Sequence, residues 1–180
     1  MKKIISAALI LALVFSLCAC GETEEPKVEL DLENYKQQAA DIASEAYSDL
    51  IYLANMAKYE STYIDSYKSI SGNMPDATTC YEKAKEWIEE KTDVKCEDLE
   101  ARNAEISEKY QVFAAIDIGD NQEAADIRDY MKTIYEDYIA HYNGVKMADI
   151  EKCSEALSEF YNTALLLQSS YLADYLTGIE

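Results

Sequence analysis

The chain has 180 residues, enough for one domain with a hydrophobic core, and 35 acidic against 16 basic residues give a net charge of −19. A chain this acidic repels nucleic acid and anionic lipid headgroups, so the sequence predicts no nucleic-acid partner. Almost half of the residues are apolar and 15 are tyrosines, which excludes a disordered, fully solvated chain.

The first twenty residues have the composition of an export signal. Lys2-Lys3 precede an apolar run from Ile4 to Leu17, and the run ends in Leu17-Cys18-Ala19-Cys20. A cationic start, an apolar segment and a small residue before the cut are the parts of a secretory signal, and the run is too short for a membrane span. The ending Leu-x-Ala-Cys resembles the lipobox of bacterial lipoproteins. That resemblance implies cleavage before Cys20, diacylglycerol on Cys20, and a position at the extracytoplasmic face of the cell membrane.

These N-terminal features divide the chain into three parts. Residues 1–19 form the signal peptide, residues 20–30 contain the lipidated cysteine and an acidic tether, and residues 31–180 form one helical domain. Ordinary secretion, with cleavage nearby and no lipid, is the alternative.

The first helix is predicted from a long apolar stripe that begins at about Leu32. Apolar residues recur every three or four positions, which is the spacing of one face of an α-helix. No glycine or proline interrupts the stripe before Gly72, so we expect about 40 residues of helix with a length of about 60 Å. Asp49 and Glu60 are the two polar interruptions. The stripe consists of Tyr35, Ala39, Ile42, Ala46, Leu53, Met56, Tyr63, Tyr67 and Ile70.

The second arm of the domain, residues 79–118, follows a turn over residues 73–76. Thr79 followed by Glu82 has the capping-box spacing that starts a helix. Apolar residues then line one face up to Gly119, but residues 93–96 do not fit the pattern. We expect this arm to be kinked or broken at that point.

Two further helices complete the predicted domain. Asp120 with Glu123 gives a second capping box, Asn143-Gly144 is expected to end this third helix, and the last helix continues to about Thr177-Gly178. No window alternates as a β-strand does. The sequence therefore predicts an all-α fold, an elongated antiparallel four-helix bundle whose second arm is kinked or broken near residues 93–96.

Catalytic residues are not indicated by this sequence. His141 is the only histidine, whereas a di-metal bundle of the ferritin type needs two Glu-x-x-His pairs. His141 also lies on the apolar stripe in the last turn of its helix, which favours a structural role. The chain has no Gly-x-Ser-x-Gly nucleophile elbow. We expect a non-enzymatic protein without a cofactor.

Three cysteines, Cys80, Cys96 and Cys153, remain once the signal peptide and the lipidated Cys20 are set aside. An odd number leaves at least one thiol free or paired with another molecule. Cys80 and Cys96 would be too far apart for a disulfide on a continuous helix. We expect three free thiols, with a disulfide to Cys153 as the alternative.

A candidate metal site lies at the turn around Gly119. Asp117, Asp120 and Glu123 supply carboxylate oxygens, the ligands that Ca²⁺ prefers. Their order does not match the EF-hand pattern, and helix capping by Asp120 and Glu123 is the alternative explanation.

A candidate ligand-binding surface is formed by Tyr59, Tyr63 and Tyr67, which are spaced four residues apart and are expected to stack along one helix. Exposed tyrosines make an amphipathic surface that suits a peptide, a glycan or another helix. Filling the core of a slender bundle is the alternative role for the tyrosines.

Together these features predict a lipid-anchored extracytoplasmic binding protein that is not an enzyme. Its expected partners are the membrane, through the lipid on Cys20, and a protein, peptide or envelope glycan, through the tyrosines. A cation- or small-ligand-binding lipoprotein is the alternative.

Overall fold

Residues 30–176 are described by a computed structural model, and they form an all-α bundle, as the sequence predicted. The predicted lipobox Leu17-Cys18-Ala19-Cys20 lies outside these residues. Within this range, no helix is both long and apolar enough to cross a membrane. The described part of the chain contains five helices: α1 (Leu32–Ser71), α2 (Ala77–Lys91), α3 (Cys96–Ala114), α4 (Gln122–Lys146) and α5 (Ile150–Ser170).

The longest helix, α1, has the predicted length of 40 residues. At its N-terminal end, the Asp31 side chain accepts a hydrogen bond from the N–H of Asn34. Gly72 ends the helix with a φ of 73°, a left-handed conformation that glycine adopts more readily than other residues. Because α1 packs against each of the other four helices, it is the central element of the bundle.

The second arm is broken into two helices, α2 and α3, at residues 92–95. Thr92 has an extended backbone, and its hydroxyl accepts a hydrogen bond from the N–H of Val94. The carboxylate of Glu89 accepts one from the N–H of Cys96, the first residue of α3. These two side chains satisfy N–H groups that a helix start would otherwise leave without partners. The predicted interruption near residues 93–96 is confirmed as a break.

Contacts between residues give the directions of the helices. Asp49 of α1 pairs with Arg102 near the start of α3, and Tyr35 stacks on Phe113 near its end, so α3 runs antiparallel to α1. Tyr138, late in α4, also reaches Asp49. The short connection over residues 147–149 brings α5 back along α4.

Both predicted capping boxes are wrong by one to three residues. Asp76, not Thr79, is the N-cap of α2, and its carboxylate accepts hydrogen bonds from both the N–H and the hydroxyl of Thr79. Asn121, not Asp120, is the N-cap of α4 and accepts one from the N–H of Ala124. Each start contains two candidate side chains, and the cap is the one whose backbone is still extended where the helix begins.

The predicted end of α4 at Gly144 is also wrong, because the helix continues to Lys146. Gly144 is buried, and a Cβ atom at this position would lie only 2.7 Å from the Sγ atom of Cys153 on α5. Because glycine has no side chain, α4 and α5 can approach each other closely at this position.

The last helix ends at Ser170 rather than near Thr177. The chain turns back after Ser170, and the Gln168 side-chain amide donates a hydrogen bond of 2.7 Å to the carbonyl of Leu176. This turn buries Leu172 and Leu176. Their apolar character after α5 explains why the sequence predicted a longer helix.

The last turns of α1 are exposed. Every residue from 65 to 74 is exposed. Ile70, predicted to lie on the buried stripe, is 88% exposed. The connection between α4 and α5 lies beside these turns, and its residues line a shallow groove together with Ile64, Lys68 and Met74. We call residues 65–74 the tip.

Candidate functional site

A row of four aromatic rings lies along α1 and α2 and leads to the tip. Tyr59 stacks on Trp87 with 5.2 Å between ring centroids, and on Tyr63 with 6.4 Å. Tyr63 continues the row to Tyr67 at 6.1 Å. The four-residue spacing on α1 predicted the order of the tyrosines, and Trp87 extends the row onto α2. We call these four residues the aromatic row.

The aromatic row becomes more exposed towards the tip. Tyr59, Tyr63 and Trp87 are half-buried, whereas Tyr67 is 39% exposed. The next turn of α1 adds Ile70, and the turn after α1 adds Met74, which is 58% exposed. Tyr67, Ile70 and Met74 therefore all expose apolar surface near the C-terminal end of α1.

Other tyrosines of the apolar stripe fill the core instead. Tyr35 is buried and stacks on Phe113 with 4.5 Å between ring centroids. Burial raises the pKa of the Tyr35 hydroxyl to about 12. Tyr138 is fully buried on α4. Both roles considered for the tyrosines are thus present, core filling in the middle of the bundle and surface exposure at the tip.

The candidate metal ligands Asp117, Asp120 and Glu123 are not brought together as a site. Asp117 accepts a hydrogen bond from the N–H of Gly119, and Glu123 forms an ion pair of 2.6 Å with Lys36. No group of three or more potential metal-ligating side chains occurs among residues 30–176.

A buried polar cluster joins α1, α3 and α4. Asp49 is only 2% exposed, and its two oxygens accept hydrogen bonds from Nε of Arg102 at 2.7 Å and from the Tyr138 hydroxyl at 3.3 Å. Burial raises the pKa of Asp49, and the hydrogen bond and charge of Arg102 oppose that rise. The first interruption of the apolar stripe is thus a paired carboxylate in the core.

The second interruption, Glu60, is fully buried and has no partner for either carboxylate oxygen in the described part of the chain. The buried thiols of Cys80 on α2 and Cys153 on α5 lie close enough for the Glu60 charge to raise their pKa values. Burial alone raises the pKa of Glu60 to about 8. Glu60 therefore holds its proton at neutral pH.

His141 belongs to the core, as the sequence predicted. It is 1% exposed, and its Nδ1 atom lies 2.7 Å from the carbonyl oxygen of Cys153. Because a carbonyl can only accept, Nδ1 carries the proton. Burial lowers the pKa of His141, while the carbonyls of Cys153 and Leu53 oppose that change. Nε2 has no hydrogen-bond partner among the described residues. The hydrogen bond from Nδ1 to Cys153 links α4 to α5.

The cysteines confirm the prediction of three free thiols. Cys80, Cys96 and Cys153 are all buried and unpaired with one another. Burial raises the pKa of Cys96 to about 11 and that of Cys153 to about 12. Thiols of this kind are protonated and behave as small apolar side chains.

The sequence did not identify Arg102 or Trp87 as site residues. Asp49 and Glu60 were visible as interruptions of the apolar stripe, which was the available signal for buried polar groups. The residues that surround Asp49 and Glu60 come from helices distant in the chain, and the spacing of the apolar stripe does not predict which residues these are.

Comparison with protein-family models, with curated proteins and with solved structures found no match for this chain.

Proposed function

We propose that this protein is a lipid-anchored extracytoplasmic binding protein, without enzymatic activity, that holds a protein or peptide through the aromatic row and the tip. The aromatic row is the observation that carries the proposal, because its four rings stack in sequence and end at the partly exposed Tyr67, one helical turn before the exposed Ile70. Tyrosine, tryptophan and methionine are enriched at protein interfaces relative to the rest of a protein surface.

The arrangement of the rings favours a protein partner over a glycan. A sugar packs its C–H face on an open aromatic face, but the faces of Tyr59 are directed towards Trp87 and Tyr63. The tyrosines of the row also carry hydroxyl groups, which suit the hydrogen-bonding side chains of a protein partner. The apolar side chains at the tip are also suited to a protein surface.

The lipid on Cys20 gives the tip a defined position. The anchor would hold the start of α1 near the membrane, and a 40-residue helix spans about 60 Å at about 1.5 Å per residue. The tip lies at the opposite end of that helix, away from the membrane-proximal end. A partner that binds there would be a component of the envelope or of its exterior.

Site-specific photo-crosslinking in intact cells tests the proposed surface. A photoreactive phenylalanine analogue at position 67 is expected to give a protease-sensitive adduct of discrete mass. The same analogue at position 135, a half-buried tyrosine away from the tip that stacks on Tyr110, is the matched control and should give no such adduct. Equal adducts at both positions, or none at position 67, would contradict the proposal. An adduct that resists protease but is removed by a glycan hydrolase would identify a glycan instead.

The anchor is tested separately with Cys20→Ser. Metabolic labelling with radioactive palmitate should label the wild-type chain and not the variant, and the variant should move from the membrane to the soluble fraction. Labelling of the variant, or membrane retention without any label in the wild type, would refute the lipid anchor while leaving the aromatic row open to its own test.

A further inference from the structure

A groove of about 380 Å³ lies between α1 and α3, next to the break in the second arm. Val94, in the segment that joins α2 to α3, is half-buried and supplies apolar surface to it, whereas Ile106 of α3 lines it but is only 1% exposed. Tyr52 of α1 and Arg102 of α3 line the same groove. Because Val94 belongs to the broken segment, the break contributes directly to the wall of the groove.

Arg102 is held in a fixed orientation at this groove. Its Nε atom donates to Asp49, a carboxylate that is 2% exposed and is also bonded to the hydroxyl of Tyr138. This is the only hydrogen bond of the guanidinium group among the described residues, and 40% of the side chain is exposed. The two terminal amino groups therefore remain available, and their planar geometry fits the two oxygens of a carboxylate.

The rim of the groove carries charges of the opposite sign. Glu45 and Glu105 line it, and both pair with Lys109, at 2.6 Å and 3.0 Å. Both oxygens of Glu45 accept from Lys109, whereas only one oxygen of Glu105 takes part in the pairing. A purely anionic ligand would meet these carboxylates and a chain whose net charge is −19. A ligand with one carboxylate and one ammonium group matches both signs.

We infer that this groove binds a small apolar α-amino acid, with the carboxylate on the terminal amino groups of Arg102 and the ammonium group facing Glu45 and Glu105. Val94 and Tyr52, both half-buried, pack against the apolar side chain of the ligand. The buried pair of Asp49 and Tyr138 fixes Arg102 in position and does not contact the ligand. This site is separate from the aromatic row, and its test does not depend on the function proposed above.

Calorimetric titration of the full chain in detergent micelles tests the inference with L-alanine, L-valine and L-leucine as probes. At least one of them should bind saturably. Two analogues of leucine isolate the charges: 4-methylpentanoate lacks the amine, and 3-methylbutylamine lacks the carboxylate. Each should bind at least about tenfold more weakly than leucine, because each leaves either Arg102 or the carboxylates of the rim without a partner of opposite charge. No binding of any amino acid, or equal binding of an analogue, would overturn the inference.

Variants of the two arginines test the site from the protein side. Arg102→Lys keeps a cation beside Asp49 but removes the planar pair of donors, so affinity should fall by about tenfold while the chain stays folded. Arg128→Lys makes the same change at the other arginine of the chain, which does not line the groove, and should leave affinity unchanged. Equal affinities of both variants would refute the role of Arg102. Tyr67→Ala should not alter amino-acid binding, which separates this site from the tip.

Discussion

Two buried carboxyl groups on the same helix behave differently because of their neighbours. Asp49 and Glu60 are both less than 3% exposed on α1. Around Asp49, α3 contributes a cation and α4 a hydroxyl. Near Glu60 lie the thiols of Cys80 on α2 and Cys153 on α5, and neither carboxylate oxygen has a hydrogen-bond partner among the described residues. The comparison shows that Arg102 and Tyr138 oppose the rise in pKa that burial causes at Asp49, whereas no group among the described residues opposes it at Glu60.

The largest effect is expected when the paired carboxylate loses its partner. Arg102→Ala leaves Asp49 buried without its cation and should reduce the free energy of unfolding by about 2 to 3 kcal/mol. This loss is smaller than that expected for a fully buried ion pair, because the side chain of Arg102 is partly exposed. Urea denaturation at pH 7 measures this change. Arg128→Ala is the control and should change the free energy of unfolding by less than about 0.5 kcal/mol. Equal losses in both variants would show that the Asp49 pair is not specifically stabilising.

The opposite change is expected when the unpaired carboxyl group is removed. Glu60→Met replaces it with an apolar side chain of similar size, and should raise the free energy of unfolding by about 1 to 2 kcal/mol at pH 8, because an unsatisfied polar group leaves the core. Urea denaturation again provides the measurement. A loss of stability in Glu60→Met would mean that the carboxyl group has a partner that the described contacts do not include.

The unpaired carboxyl group should also make the stability of the protein depend on pH. The folded protein retains the Glu60 proton up to a pKa of about 8, whereas the unfolded chain releases it near the ordinary value of 4.5. The stability from protonated Glu60 is therefore fully present below pH 4.5 and declines as pH rises through 8. Subtracting the pH profile of Glu60→Gln from that of the wild type isolates this decline. A flat difference profile would contradict the raised pKa.

A smaller effect is expected at Gly144, which shares its neighbour Cys153 with Glu60. Gly144→Ala should destabilise the protein by about 1 kcal/mol, because crowding of the added Cβ against Sγ outweighs the gain in helix propensity. Combining it with Cys153→Ala removes the clashing atom, so the double variant should be more stable than the sum of the single effects predicts. If the stability changes of the two single variants simply add in the double variant, the contact between α4 and α5 can relax around the added Cβ atom without loss of stability.

Features that are local in the chain were predictable from the sequence. The apolar stripe and Gly72 gave the length of α1, and the loss of pattern at residues 93–96 gave the break. Features that depend on a second element were not. The same letter, glycine, ends α1 at Gly72 but permits a close helix contact at Gly144, and only the position of Cys153 distinguishes the two cases.

The candidate sites follow the same division. The spacing of Tyr59, Tyr63 and Tyr67 predicted their ring order, since it lies within one helix. The pairing of Asp49 with Arg102 joins residues 53 positions apart in the chain, and no periodicity relates them. Ile70 shows the opposite limit: its spacing places it on the apolar stripe, but the spacing does not reveal that its side chain is exposed.

The contact of α1 with all four other helices has a consequence for how the molecule opens. No helix can leave the bundle without disturbing α1, so residues 35 to 64 should exchange their amide hydrogens only through cooperative unfolding of the whole domain. The last turns of α1, which are exposed from residue 65 onward, have no such restraint and should exchange by local fraying. One continuous helix would then contain both the slowest and the fastest helical amides of the described chain, with the boundary near Ile64.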